Sequence, residues 1–318
     1  MIKVGINGFG RIGRCTARHI LESRSDMQIV KINASGTPEQ NKHLFMYDSI
    51  HGRSSVKIPD SVAWSAERSI DALDWQGVDV VLECTGAFND GNIARTHLDK
   101  GASKVLISAP AKNVSNTIVY GVNHKNITAK DSVISNASCT TNCLAPVVDA
   151  IDKAVGIDRG FVTTIHAYTG DQPTADKRHK DPYRARAAAI SMVPTSTGAA
   201  KAIGLVLPHL QGKLHGSAIR VPTANVSCID ATFIVSRDTN VEEINSVMYS
   251  AHKSNPAILG YETAPLVSID YNHTSESAIF APEQTQVDNN TVRILAWYDN
   301  EWGYSCRMAD VTSELAKY

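Results

Sequence analysis

Cys139 lies in Ser138-Cys139-Thr140-Thr141-Asn142-Cys143, directly after the strand-like run Val133-Ile134-Ser135-Asn136. A strand-to-helix junction of this kind puts the sulfur at a helix N-terminus. The macrodipole there favours a thiolate, the reactive form of cysteine. A lone cysteine is more often a buried, inert small hydrophobe, and Cys15, Cys84, Cys143, Cys228 and Cys306 fit that description. The small polar neighbours of Cys139 argue against it there. A nucleophilic sulfur needs a base. Among the eleven histidines, His166 alone combines a strand end with a Thr/Asp cluster, in Thr163-Thr164-Ile165-His166-Ala167-Tyr168-Thr169-Gly170-Asp171. Its imidazole is expected to lower the thiol pKa and to move protons near neutral pH. Together the two side chains point to covalent nucleophilic catalysis.

Gly8-Phe9-Gly10-Arg11-Ile12-Gly13 fits G-x-G-x-x-G, follows an apolar strand and opens a helix. In that context the pattern predicts a dinucleotide site. Gly8 permits the tight turn, Gly10 lets the backbone approach a pyrophosphate, and Gly13 lets the helix pack on the sheet. The helix N-terminus attracts the phosphates. The second strand ends Lys31-Ile32-Asn33-Ala34-Ser35-Gly36, with no acid where an NAD site usually has one for the ribose hydroxyls. Ala34 and Ser35 leave room for a 2′-phosphate and do not repel it.

The elements that must hold these groups follow a simple order. Arg11 to Ser23 reads as a helix between the strands Ile2 to Asn7 and Gln28 to Asn33. Val78 to Cys84, Lys104 to Ser108 and Thr117 to Gly121 read as further strands, with a helical stretch near Ile93 to Lys100. Strands alternating with helices imply a parallel sheet. After Cys139 the runs lengthen and alternate, as in Phe161 to Tyr168, Val226 to Val235 and Val292 to Trp297. The fold class is therefore α/β plus α+β: a Rossmann-type parallel sheet, then a mostly antiparallel catalytic domain. The expected boundaries are 1–137 for the first domain, with the helix of 301–318 packing back on it, and 138–300 for the second. Asp171 to Arg186 carries six basic residues and the breakers Pro173 and Pro182, so it reads as a long functional loop.

Composition excludes several classes. The net charge of −1 offers no global attraction to nucleic acid or anionic membranes, so an anionic ligand must be held locally. No apolar run reaches the roughly 20 residues of a membrane span, and the N-terminus lacks a signal-peptide pattern, so a cytoplasmic location is expected. Without a CxxC spacing or a His–Cys cluster, no metal site is expected.

The motifs closely resemble the phosphorylating glyceraldehyde-3-phosphate dehydrogenase family. The resemblance rests on Asn7–Arg14, Ser135–Pro146, Thr195–Lys201, Arg220-Val221-Pro222 and Trp297–Ser305, and runs nearly end to end. It implies that the Cys139 thiolate attacks the aldehyde of glyceraldehyde 3-phosphate. His166 takes the hemithioacetal proton as hydride passes to the nicotinamide, and inorganic phosphate releases 1,3-bisphosphoglycerate from the thioester. It further implies Thr169, Asp171, Arg184 and Arg220 around the substrate phosphate, with Arg186 an open alternative to Arg184. Ser138, Thr140, Thr197 and Gly198 fall around the inorganic phosphate. Ser108, Asn300 and Tyr304 join Gly8 to Gly13, Ala34 and Ser35 on the cofactor, and the assembly is a homotetramer. Three departures stand out. Ala34 replaces a usual aspartate, Lys177-Arg178 replaces a usual Leu-Pro in a loop that reaches a neighbouring subunit's cofactor, and His51 to Asp74 is shortened. The first two favour NADP or dual use over strict NAD use. Alternative readings are dehydrogenases of erythrose 4-phosphate or aspartate semialdehyde, and a non-catalytic cofactor-binding moonlighting protein. The Thr195–Gly198 segment speaks against the first group. The intact nucleophile and base speak against the second.

Overall fold

The computed structural model describes all 318 residues. They form two compact units, Met1–Ser138 with Tyr304–Tyr318, and Cys139–Gly303. The first is built on strand β1 (Ile2–Asn7), helix α1 (Arg11–Ser23), β2 (Met27–Asn33), α2 (Pro38–Met46), β3 (Ala63–Ser65), β4 (Val80–Glu83), β5 (Lys104–Ile107), β6 (Asn116–Thr117) and β7 (Val133–Ser135). These strands make one sheet in the order β3-β2-β1-β4-β5-β7-β6, with every pairing parallel. The central strands are apolar and buried, as a parallel sheet covered on both faces requires. Strand order reverses at β1, so the carboxyl ends of β1, β2 and β4 open a crevice at the switch point.

The stretch expected as one helix near Ile93 to Lys100 is two single turns, Gly91–Ala94 and Thr96–Asp99. Thr117 to Gly121 pairs only through Asn116–Thr117. There the Asn123 side chain takes over, accepting from the Val119 N–H at 2.7 Å and donating to the Thr117 carbonyl at 2.8 Å. A side chain that satisfies the backbone in this way ends the ladder.

The second unit begins with α3 (Cys139–Val155), then β8 (Ile157–Ala167), β9 (Val193–Ser196), α4 (Ala199–Val206), β10 (Leu214–Val221), β11 (Ser227–Val235), α5 (Val241–Ser254), β12 (Leu259–Tyr261), β13 (Ala278–Phe280), β14 (Gln286–Asp288) and β15 (Thr291–Tyr298). A last helix, α6, spans Trp302–Leu315. The second sheet runs β9-β10-β8-β11-β15-β13-β12, with β14 on β15. Only β8–β10 and β12–β13 pair in parallel. Strict alternation puts Val162, Thr164 and His166 of β8 on the buried face, together with Ile294, Ala296 and Tyr298 of β15. Buried Leu144, Val147, Val148 and Ile151 of α3 help fill the core of this unit.

Candidate active site

The register of the second sheet assembles the chemistry. His166 on β8 is the direct partner of Arg220 on the parallel strand β10, so both side chains leave the same face. On the other side of β10, β9 pairs antiparallel and places Val193 opposite Arg220. This carries the following Thr195–Gly198 segment to the start of α4. Cys139 is the first residue of α3, and its Sγ lies 3.6 Å from His166 Nε2. His166 Nδ1 is 2.7 Å from the Ala167 carbonyl, an atom that can only accept. Arg220 Nη1 also approaches Nδ1, at 3.2 Å, but it donates to the same Ala167 carbonyl at 3.0 Å, so the shorter 2.7 Å contact assigns the ring proton to Nδ1 and leaves the Nε2 lone pair facing the sulfur.

Burial disfavours the charged form of each member of this pair. Burial holds His166 down at about 3, helped by the Arg220 charge. Burial also pushes the Cys139 thiol up, opposed by Arg220 and by the Thr140 backbone and hydroxyl. The expected depression of the thiol pKa is thus reversed. Desolvation outweighs the helix terminus, although the half-buried residue keeps some solvent access. A neutral imidazole is nonetheless what a base must be, and one at this distance is able to accept a thiol proton.

Around this pair lie the groups suited to an anion. The Arg220 guanidinium donates to the Ala167 carbonyl at 3.0 Å and to the Thr169 hydroxyl at 3.4 Å. Its Nε is buried without an acceptor, and no carboxylate lies within ion-pair distance. Half-buried and unneutralised, Arg220 favours a bound anion. Arg184 donates to Asp171 at 2.8 Å and to the Thr195 hydroxyl at 3.0 Å. Arg186 instead pairs with Asp176 on the exposed side of the loop, at 2.9 Å. Of these two arginines, the structure gathers only Arg184 with Asp171 and Thr195. Thr197 and Gly198 sit at the N-terminus of α4, where Thr197 accepts from the Ala199 N–H and the Cα of Gly198 faces open space. Asn300 Oδ1 accepts from Ser227 at 2.8 Å. Lys177 and Arg178 are exposed and make no ion pair.

In the first unit, a cleft of about 500 Å³ opens at the switch point, lined in part by Gly8, Phe9, Gly10, Ala34, Ser35 and Thr85. Here Gly8 and Gly13 are required individually. Gly8 has φ +93, and a Cβ there would meet Cys84 backbone at 2.7 Å. A Cβ on Gly13 would lie 2.1 Å from the Gly8 carbonyl oxygen, whereas one on Gly10 would meet nothing within 4 Å. The loop is thus closed beneath and open above, a cradle fit for a pyrophosphate. Arg11 turns away into a two-point ion pair with Asp48, with contacts of 2.6 and 3.0 Å. The main-chain N–H of Ser108 bonds the Glu83 carbonyl, and the Tyr304 hydroxyl donates to the Ala137 carbonyl at 3.0 Å.

Two groups in this cleft escaped the sequence reading. Glu67 and Arg68 also line it, so an acid and a base reach the Ala34–Ser35 end from the segment after β3. Beneath the cleft, buried Glu83 accepts from Asn7 at 2.6 Å and lies 2.9 Å from His97 Nε2. Trp75 donates to His97 Nδ1 at 2.9 Å, which puts the ring proton on Nε2, facing Glu83. Asn33 bridges Asn7 to Glu67, donating to Asn7 Oδ1 at 2.8 Å and to the Glu67 carbonyl at 2.9 Å and accepting from the Glu67 N–H at 2.8 Å. The signal was a single acid ending the otherwise apolar Val80-Val81-Leu82-Glu83, since a buried charge survives only when it is bonded.

Known proteins match along the whole chain. Residues 2–91 match the family described as glyceraldehyde 3-phosphate dehydrogenase, NAD binding domain, and residues 138–300 its C-terminal domain. The chain is 53% identical to a glyceraldehyde-3-phosphate dehydrogenase of Cereibacter sphaeroides, over 99% of both chains. It is 54% identical to one of Xanthobacter flavus, again over 99% of each, and 51% identical to one of Pseudomonas aeruginosa, over 99% of this chain and 98% of the relative.

Proposed function

For a chain that belongs to the glyceraldehyde-3-phosphate dehydrogenase family, and so is an oxidoreductase with a nicotinamide cofactor and a small-molecule substrate, we propose the phosphorylating reaction through a thioester on Cys139. The observation that carries it is the His166 Nε2 lone pair 3.6 Å from Sγ, beside the unneutralised Arg220. Sγ attacks the aldehyde carbon of glyceraldehyde 3-phosphate as its proton passes to His166. The imidazolium returns that proton to the new oxyanion, giving a hemithioacetal. His166 then takes the hydroxyl proton while hydride departs from the same carbon, leaving an acyl thioester. When bound, the nicotinamide ring supplies the hydride acceptor. The Cys139 N–H and the His166 ring stabilise each oxyanion. Inorganic phosphate attacks the thioester and expels the thiolate, releasing 1,3-bisphosphoglycerate.

Arg220, Arg184 and Thr169 hold the substrate phosphate, with Asp171 orienting Arg184. Ser138, Thr140, Thr197 and Gly198 receive the attacking phosphate. On the cofactor, Asn300 and Tyr304 serve the nicotinamide end, while Ala34, Ser35 and Arg68 admit a 2′-phosphate, so that NADP is used as well as NAD. The chain works as a homotetramer, with Lys177 and Arg178 reaching a neighbouring copy's cofactor. In support, the second unit exposes the large apolar side chains Phe161, Ile190 and Met192 at 70%, 84% and 76%. No helix is long and apolar enough to cross a membrane.

Steady-state rates against inorganic phosphate test the reaction class. Saturable dependence is expected, and turnover indifferent to phosphate refutes it. A light-scattering mass of one chain in solution contradicts the assembly.

A further inference from the structure

The proposed mechanism leaves Tyr298 without a task, yet its hydroxyl joins the two elements that carry the nucleophile and the base. Tyr298 is 1% exposed, at the end of β15. Its oxygen is 2.8 Å from the hydroxyl of Thr140, next to Cys139 on α3. It is also 2.8 Å from the hydroxyl of Thr164, two residues before His166 on β8. Its ring stands edge-on to the His166 imidazole, with centroids 6.0 Å apart and planes at 80°. Thr164 also donates to the Cys228 carbonyl at 3.2 Å.

Proton counting gives this chain a direction. Each hydroxyl has one proton. Thr164 commits its own to the Cys228 carbonyl and must accept from Tyr298. Tyr298, having donated to Thr164, can accept from Thr140 whenever the Thr140 proton is not turned to the Cys139 sulfur. In that arrangement the chain runs Thr140 to Tyr298 to Thr164 to Cys228.

We propose that Tyr298 is a positioning residue whose hydroxyl holds Cys139 and His166 in register by binding Thr140 and Thr164 together. The inference rests on the assignment of Cys139 and His166 as nucleophile and base. A displacement of about 1 Å at a reacting pair costs up to roughly a hundredfold in rate.

The test replaces the oxygen and keeps the ring. In Tyr298→Phe, alkylation of Cys139 by iodoacetamide, followed across pH by peptide mass spectrometry, should slow by about tenfold and change its pH profile. In the same variant kcat should fall by about tenfold or more, with KM for the aldehyde phosphate unchanged and thermal unfolding within a few degrees of the parent. Thr164→Val removes the opposite anchor and should give the same profile. The double variant should be no worse than either single one, because one chain is broken twice. Folded single variants with parental alkylation profile and kcat overturn the proposal, as does a double variant whose losses add in full. If either single variant fails to fold, the other carries the same comparison. Cys139→Ser in parallel separates the two levels: surviving activity there refutes the nucleophile assignment, whereas an inactive Cys139→Ser beside an unperturbed Tyr298→Phe refutes only the positioning role.

Discussion

The Cys139–His166 cluster of the second unit and the cleft of the first are built on opposite plans. Around Cys139 and His166 the imidazole, Thr140, Thr164 and Tyr298 are held by hydrogen bonds, and strand register sets His166 beside Arg220. Burial keeps the base neutral and leaves one guanidinium without a carboxylate partner. The cleft, by contrast, has a fixed floor and a loose rim. Glu83, His97, Asn7 and Asn33 are locked below it, while Ser35, Glu67 and Arg68 stand exposed at its Ala34 end. Chemistry demands preorganised geometry and low dielectric. Cofactor choice is a difference between two affinities, set by a few rim charges that can change without disturbing the core.

The sharpest break in that contrast comes from His166→Asn. Its kcat should fall by about 10²–10⁴-fold, the range of general-base catalysis, with cofactor affinity in a fluorescence titration unmoved. Loss of cofactor affinity in step with kcat would show that the two regions are not separable. Arg220→Ala should lower kcat/KM for glyceraldehyde 3-phosphate by about 10–100-fold, since charged hydrogen bonds contribute about 1.5–3 kcal/mol. Unphosphorylated glyceraldehyde should be nearly indifferent, and equal losses on both aldehydes would move Arg220 from binding the phosphate to structure. At the rim, Ala34→Asp should reduce the NADP-to-NAD ratio of kcat/KM by about tenfold or more through like-charge repulsion of a 2′-phosphate. A parental protein that already rejects NADP would show that Ala34 and the Lys177-Arg178 pair were misread.

The smallest effect lies outside both regions. Burial holds His19 at about 4. The unfolded ring binds a proton below about 6.5 and the folded ring only near 4, so stability is complete above the upper value and declines as pH falls towards the lower. His166 has the same sign, down to about 3. Asp48, held at about 2 by Arg11 despite its burial, contributes stability that is lost only below about 4. In denaturant titrations, His19→Gln should therefore lose about 1–2 kcal/mol less than the parent between pH 7 and pH 5. An identical loss in both proteins would mean that His19 is not the group responsible.

Much of this architecture was legible from residue order. The Arg11–Ser23 helix follows directly from a glycine loop and an apolar face, because both signals are local. The pairing of Cys139 with His166 was inferred from polar flanks at two strand ends, and the geometry brings them together. What stayed hidden depends on distant partners. No periodicity in Val292 to Trp297 reveals that the next residue, Tyr298, will bridge Thr140 and Thr164. Nor does the end of β2 announce that Glu67 and Arg68 will arrive from another segment. The thiol pKa was misjudged for the same reason: a helix terminus is visible in sequence, whereas the desolvation that outweighs it exists only after packing.

The central claim is that Cys139 carries the acyl group. Mixing the enzyme with cofactor and glyceraldehyde 3-phosphate in phosphate-free buffer, quenching in acid and mapping the peptides by mass tests it directly. Expected are a burst of about one reduced cofactor per chain, a 3-phosphoglyceryl adduct on the Cys139 peptide, and release of the adduct when phosphate is added before the quench. Continuous turnover without phosphate and an unmodified Cys139 peptide would contradict it.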